Sequence, residues 1–203
     1  MRIRGWTITG ITAALLAAVV LVTWSMHGFT EEFVRVNVRA TARVSVTLFL
    51  LAFSASSLRA LYPSPATNWL LQNRRYLGVS FAFSHFVHLG VLVLLGMRFP
   101  HPFLDDLAPI TLIGGGLAYV FITLMALTSF AAPRHLIGER AWKILHTTGS
   151  YYVWLIFFNS YASRAVQDVA YVPLALALVA ALALRIARRI RQRAAAAGPK
   201  VTA

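Results

Sequence analysis

Six long apolar stretches, each bounded by charged or polar residues, recur along the chain. They run roughly over Ile8–Met26, Thr41–Tyr62, Tyr76–Met97, Leu107–Ala132, Ile144–Ser163 and Val169–Leu184. A helix needs about 20 mostly apolar residues to cross ~30 Å of hydrocarbon, so each stretch predicts a membrane span. The second is the weakest. Only Val44–Leu58 is free of charge, and Arg43 and Arg59 must reach opposite interfaces with their stems. The sixth is short between Asp168 and Arg185 and calls for stem reach or local thinning. The expected fold class is all-α: an integral membrane six-helix bundle over residues 1–190, with a basic, disordered tail over 191–203. No loop is long enough for a second domain, and no internal repeat suggests an inverted-repeat transporter.

Composition agrees. Hydrophobic residues make up 59% and charged residues 12%, with a mean hydropathy of +0.69. A soluble domain carries about 25% charge, so a soluble enzyme, a disordered chain and a coiled coil are excluded. Cysteine is absent, which removes disulfides, iron–sulfur clusters and thiolate zinc sites. The net charge of +13 suggests nucleic acid only until the charges are placed. With a cytoplasmic N-terminus and alternating spans, 14 of the 19 basic residues fall inside, and five of the six acids outside. That split predicts both termini in the cytoplasm, and the partner is a lipid membrane with no role for nucleic acid. The first span follows Arg2 and Arg4 but no small-residue cleavage site comes after it, so it reads as a retained anchor. The tail Arg185–Arg193 reads as a helical extension resting on anionic lipid.

Candidate chemistry narrows to histidine. The spans carry no Asp, Glu or Lys in their middles, which argues against an ion-coupled transporter. His85 and His88 are three residues apart and share a helix face with Phe81 and Leu92. His88 lies 13 residues beyond Arg75, about 20 Å along the axis, and so in the outer half of the membrane. His146 follows Lys143 by about one turn, in the inner part. Two readings stand for each: a hydrogen bond to a Ser, Thr or carbonyl of a neighbouring helix, or haem-iron ligation through one nitrogen with the other donating a hydrogen bond. A zinc or copper cage has no carboxylate or thiolate nearby to complete it. His27, His101 and His135 read as interfacial residues. Gly114-Gly115-Gly116 permits close approach of a helix or a flat cofactor.

The wording around these histidines resembles a known family. Arg74-Arg75-Tyr76-Leu77-Gly78, followed ten residues on by His88, is similar to the Arg-Arg-x-Leu-Gly…His signature of ferric-reductase-like membrane domains. The nearest likeness is to the haem-binding membrane subunit of bacterial periplasmic methionine sulfoxide reductase. A second block, from Leu127-Thr128-Ser129 through Leu136-Ile137-Gly138 and Trp142-Lys143 to Leu145-His146, resembles the family's Thr-Ser…Leu-Gly…Trp…Leu-His run. The likeness covers about residues 74–163.

The resemblance implies haem b between the third and fifth helices in a bacterial inner membrane. His88 and His146 take the positions of haem-iron ligands, and His85 is an additional candidate. Arg74 and Arg75 lie where they would meet propionates or a flavin phosphate. Electrons would pass from a cytoplasmic flavin reductase or quinol donor, with flavin or quinone at the inner face, to a redox acceptor outside. The chain departs from the family at Asn159, where a second histidine of the fifth helix is common, so at most one tightly bound haem per chain is expected, held by His146 with His85 or His88. A haem-less structural or assembly protein of the same fold, or a small-molecule transporter, are the alternatives.

Overall fold

The computed structural model describes residues 3–101, 103–105 and 108–197; Arg2, Asp106, Leu107 and Lys200 of the charge and span readings lie outside them. Six long helices follow one another: α1 Trp6–His27, α2 Glu31–Leu61, α3 Pro65–Arg98, α4 Pro109–Leu127, α5 Ala131–Ala165 and α6 Val172–Ala197, the last preceded by a 3₁₀ turn at Val169–Tyr171. No strand occurs among the described residues.

Several helices outrun their apolar stretches because polar flanks supply good starts. The Thr30 side chain accepts a hydrogen bond from the Phe33 N–H, with Glu31 and Glu32 in the first turn of α2, where carboxylates meet the positive end of the helix dipole. Ser64 and Thr67 form a reciprocal capping box around Pro65, so α3 begins eleven residues before Tyr76. Gly138 breaks α5 with φ 74°, a backbone region natural to glycine.

Two expectations need correction. The tail does not lose structure at 191: α6 continues to Ala197, because Arg, Gln and Ala are strong helix formers and an existing helix extends without a new nucleus. Residues 198–203 lie outside the described set. Among the described residues five helices, not six, are long and apolar enough to cross a membrane; α5 is not among them. Its middle is diluted by His146, Thr147, Thr148, Ser150, Asn159 and Ser160. Phe157 of α5 nonetheless reaches the centre of the bundle, packing on Phe49 and Phe81.

The helices run antiparallel to their chain neighbours. Thr41 meets His88 and Ser45 meets Ser84 across α2–α3; Thr128 meets His146 and Gly114 meets Tyr152 across α4–α5. The Gly5 N–H donates to Asn73 Oδ1, and Arg185 sits over Phe53. The start of α1 and the basic stretch of α6 therefore share one end of the bundle, called here the termini end, with the α2–α3 and α4–α5 turns. The core is aromatic and aliphatic, built on Val46, Phe49, Phe53, Phe81, Ile122, Val153, Phe157 and Leu178. The periphery is apolar too: Leu21 and Val22 of α1, Ile110, Ile113 and Val120 of α4, and Leu176 of α6 are exposed. Apolar surface of this extent belongs in lipid, and the chain has the features of a multi-pass helical membrane protein.

Candidate functional site

α4 packs closely on α5 and only sparsely on α3. Its Gly149-facing side shows how close: a Cβ on Gly149 would stand 2.9 Å from Met125 Sδ and 3.1 Å from Phe121 Cδ1. The sparse α3–α4 contact leaves room at both ends, and a cavity occupies each.

The cavity at the far end, about 740 Å³, is lined by His85 and His88 of α3, by Gly115, Gly116 and Tyr119 of α4, and by Phe157, Ser160 and Arg164 of α5. Arg39 of α2 also lines it. His88 Nδ1 lies 3.0 Å from Thr41 Oγ1. Assigning the hydroxyl proton to its closest acceptor, the Asn37 carbonyl at 2.7 Å, leaves the oxygen to accept from the ring. His88 therefore carries its proton on Nδ1 and its lone pair on Nε2. The His85 ring stacks between Tyr119 and His88, with centroids 4.8 and 5.4 Å away, and its Nδ1 is buried with no partner among the described residues. The Tyr119 hydroxyl donates to the His85 carbonyl.

The cavity at the termini end, about 600 Å³, is lined by Arg74 and Arg75 of α3, by Thr128, and by Arg134, His135, Trp142 and His146 of α5. Here the ring chemistry is reversed. Thr128 Oγ1 donates to the Leu124 carbonyl at 2.7 Å and accepts from His146 Nε2 at 3.0 Å. The ring packs on Trp142, centroids 4.5 Å apart, while the Trp142 indole N–H donates to the Thr128 carbonyl. Thr128, His146 and Trp142 thus clasp the α4–α5 turn, as the structural reading of a membrane histidine expects. Arg74 Nε donates to the Ala52 carbonyl. Arg75 lies over the Phe130 ring at 4.9 Å.

The fold brings His85 and His88 together, and separately brings His146, Arg74 and Arg75 together. It does not join the two sets. His85 touches Phe157, which is eleven residues and so about 16 Å along α5 from His146; Phe81, Ile122 and Phe157 fill the space between. One iron shared by His146 with His85 or His88 is not an arrangement these helices provide. Asn159 is exposed and off the far-end cavity, so a histidine there would not face His88. Of the three glycines, Gly114 packs against α5, where its carbonyl accepts from Tyr152, while Gly115 and Gly116 line the cavity. His101 pairs with Asp105 near the far end.

Sequence reasoning missed Thr41 and Tyr119, and it placed Thr128 in the Leu127-Thr128-Ser129 block without pairing it with His146. Thr41 and His88 are 47 residues apart, and no spacing rule connects them. A hydroxyl at the polar edge of an apolar stretch is the one visible signal.

A haem supplies four of its iron's ligands and asks the protein for one or two. Among the described residues no three His, Cys, Asp or Glu side chains gather as a bare metal ion would require. The far-end cavity suits a macrocycle: an imidazole with its N–H anchored, apolar walls, two glycines on one side, and Arg164 as a counter-charge for carboxylates, Arg39 being paired with Glu32. Its volume falls in the usual range for a cofactor pocket. The termini-end cavity suits one less well, because Thr128 engages the His146 nitrogen that the ring would otherwise extend. No known family model matches the chain, and no curated protein matches it.

Proposed function

We propose that the chain is the membrane haem-b subunit of an oxidoreductase, carrying electrons from a cytoplasmic flavin or quinol donor to an acceptor on the outer side of a bacterial inner membrane. In this reading all six helices cross the bilayer, α5 included, and the termini end faces the cytoplasm, as the positive-inside distribution asks. The observation that carries the proposal is His88: its Nδ1–H is engaged by Thr41, and its Nε2 lone pair is left beside an apolar cavity of about 740 Å³. The resemblance of residues 74–163 to ferric-reductase-like domains supports it.

The bound haem supplies a one-electron couple. Thr41 fixes the ring tautomer and raises the basicity of Nε2. His85 and His88 stand on one face of one helix with their rings 5.4 Å apart; His88 would hold the haem iron, and His85 packs beside it. Arg164 offers positive charge to the propionates, Arg39 being paired with Glu32. Arg74 and Arg75, with Arg134 balanced by Glu139, leave the termini-end cavity electropositive, which favours an anionic donor there.

Absorbance of the purified protein, reduced minus oxidised, tests the reading. A b-type spectrum with about one haem per chain by pyridine haemochrome is expected. Protein that stays haem-free after expression with ample haem supply would refute it and leave the haem-less structural reading. Reporter fusions at the C-terminus test the topology, and an outer location would overturn it.

A further inference from the structure

Arg74 of α3 and Arg185 of α6 lean on consecutive carbonyls of α2. Arg74 Nε donates to the Ala52 oxygen, and Arg185 Nη1 approaches the Phe53 oxygen at 3.4 Å. The Arg185 guanidinium is further held over Phe53 at 4.1 Å and Tyr151 at 4.7 Å. Arg188 stands one turn along α6, close enough, like Arg185, to repel the charge of Arg74. Its Nε is buried with no partner among the described residues. Arg189 lies over Tyr151.

Among the described residues no unpaired carboxylate offsets this cluster. Glu31, Glu32 and Glu139 pair with Arg35, Arg39 and Arg134, and Asp105 and Asp168 belong to the far end of the bundle. Converging, half-buried guanidinium groups with unused N–H donors call for an anion. The depth says which kind. Arg74 and Arg185 stand where the apolar stretches Tyr76–Met97 and Val169–Leu184 end, at the level of lipid phosphates, and α6 exposes Ile186 and Ile190 beside them.

We propose that Arg74, Arg185 and Arg188 bind the phosphodiester of one anionic phospholipid, whose acyl chains lie along α6. The site differs from general attraction of the tail to a charged surface: it is built by three helices and holds one lipid. It does not depend on haem.

The test uses the full-length protein in detergent micelles. Native mass spectrometry should count one retained phosphatidylglycerol and no retained phosphatidylcholine, and phosphatidylglycerol should raise the Tm where equimolar inorganic phosphate does not. Arg185→Gln with Arg188→Gln should weaken phosphatidylglycerol binding about fivefold per arginine removed, at roughly 1 kcal/mol each. Arg191→Gln with Arg193→Gln should leave it unchanged. Arg188→Gln alone guards against a folding defect, since its Nε holds no protein contact to lose. An equal effect of inorganic phosphate would overturn the lipid assignment. Equal losses from the two double variants, or none from Arg188→Gln, would overturn the built site.

Discussion

Two cavities, two histidines and two threonines make the sharpest comparison in the molecule. His88 and His146 each meet a threonine hydroxyl at 3.0 Å, and each hydroxyl has already given its proton to a carbonyl of its own helix. With the protons so assigned, both rings donate. The difference is which nitrogen does so. His88 uses Nδ1 and keeps the lone pair on Nε2, at the tip of the ring. His146 uses Nε2, and its lone pair sits on Nδ1, near its own backbone. Residue type and partner type are the same, yet one arrangement offers a ligand and the other closes a turn.

The largest effect expected is from His88→Ala, which should abolish most haem retention, a loss of more than about tenfold in haem per protein by pyridine haemochrome. If His146→Ala does equally well at removing haem while His88→Ala does not, the contrast is reversed and the termini-end cavity holds the cofactor.

Thr41→Val sharpens the same point without touching the ring. Losing the partner of Nδ1–H should weaken haem affinity about ten- to hundredfold, and Thr41→Ser should restore it. Identical haem affinity in the valine variant would mean that Thr41 does not set the tautomer.

Gly149→Ala probes the tight packing beside the His146 clasp. The added methyl meets Met125 and Phe121, and the thioether can yield only partly, so a destabilisation of about 1–3 kcal/mol is expected in denaturation of the detergent-solubilised protein. An unchanged Tm would show that α4 and α5 are looser than these distances.

The smallest effect is reserved for Thr128→Val. It removes one hydrogen bond between helices, about 0.6 kcal/mol in a membrane setting, and should leave haem content alone. A fall in haem content as large as that of Thr41→Val would erase the distinction between the cavities.

The apolar stretches made most of the architecture legible in advance, because a membrane demands length and hydropathy from every lipid-facing helix. α5 was the exception. It packs between neighbours, so it tolerates the polar residues that drop it below the apolarity of its companions. Helix starts were visible in Ser64-Pro65 and Thr30-Glu31, yet an apolarity reading places the boundaries at Tyr76 and Thr41. At the site, His85 and His88 were legible as a pair because three residues is a helical spacing. Their separation from His146 was not, because depth along a helix is readable but the aromatic fill of Phe81, Ile122 and Phe157 depends on how four helices meet. Asn159 shows the same limit: its place in the sequence pattern suggested a partner for His88, and its rotation on α5 puts it outside.

The polar seam of α1, α2 and α3 has one more consequence. Asn37 donates to Thr23 Oγ1, Thr41 meets His88, Ser45 meets Ser84 and Thr9 meets Ser80. Apolar helices in lipid can slide past one another with little penalty, since one methyl is as good a neighbour as the next. These four contacts act like the teeth of a key. A slip of α2 or of α3 by a single residue, about 1.5 Å, would break three of the four together and strand their polar groups in hydrocarbon. The seam thus gauges the height of His88 along the bundle, and in the proposed function any electron path has its distances set there.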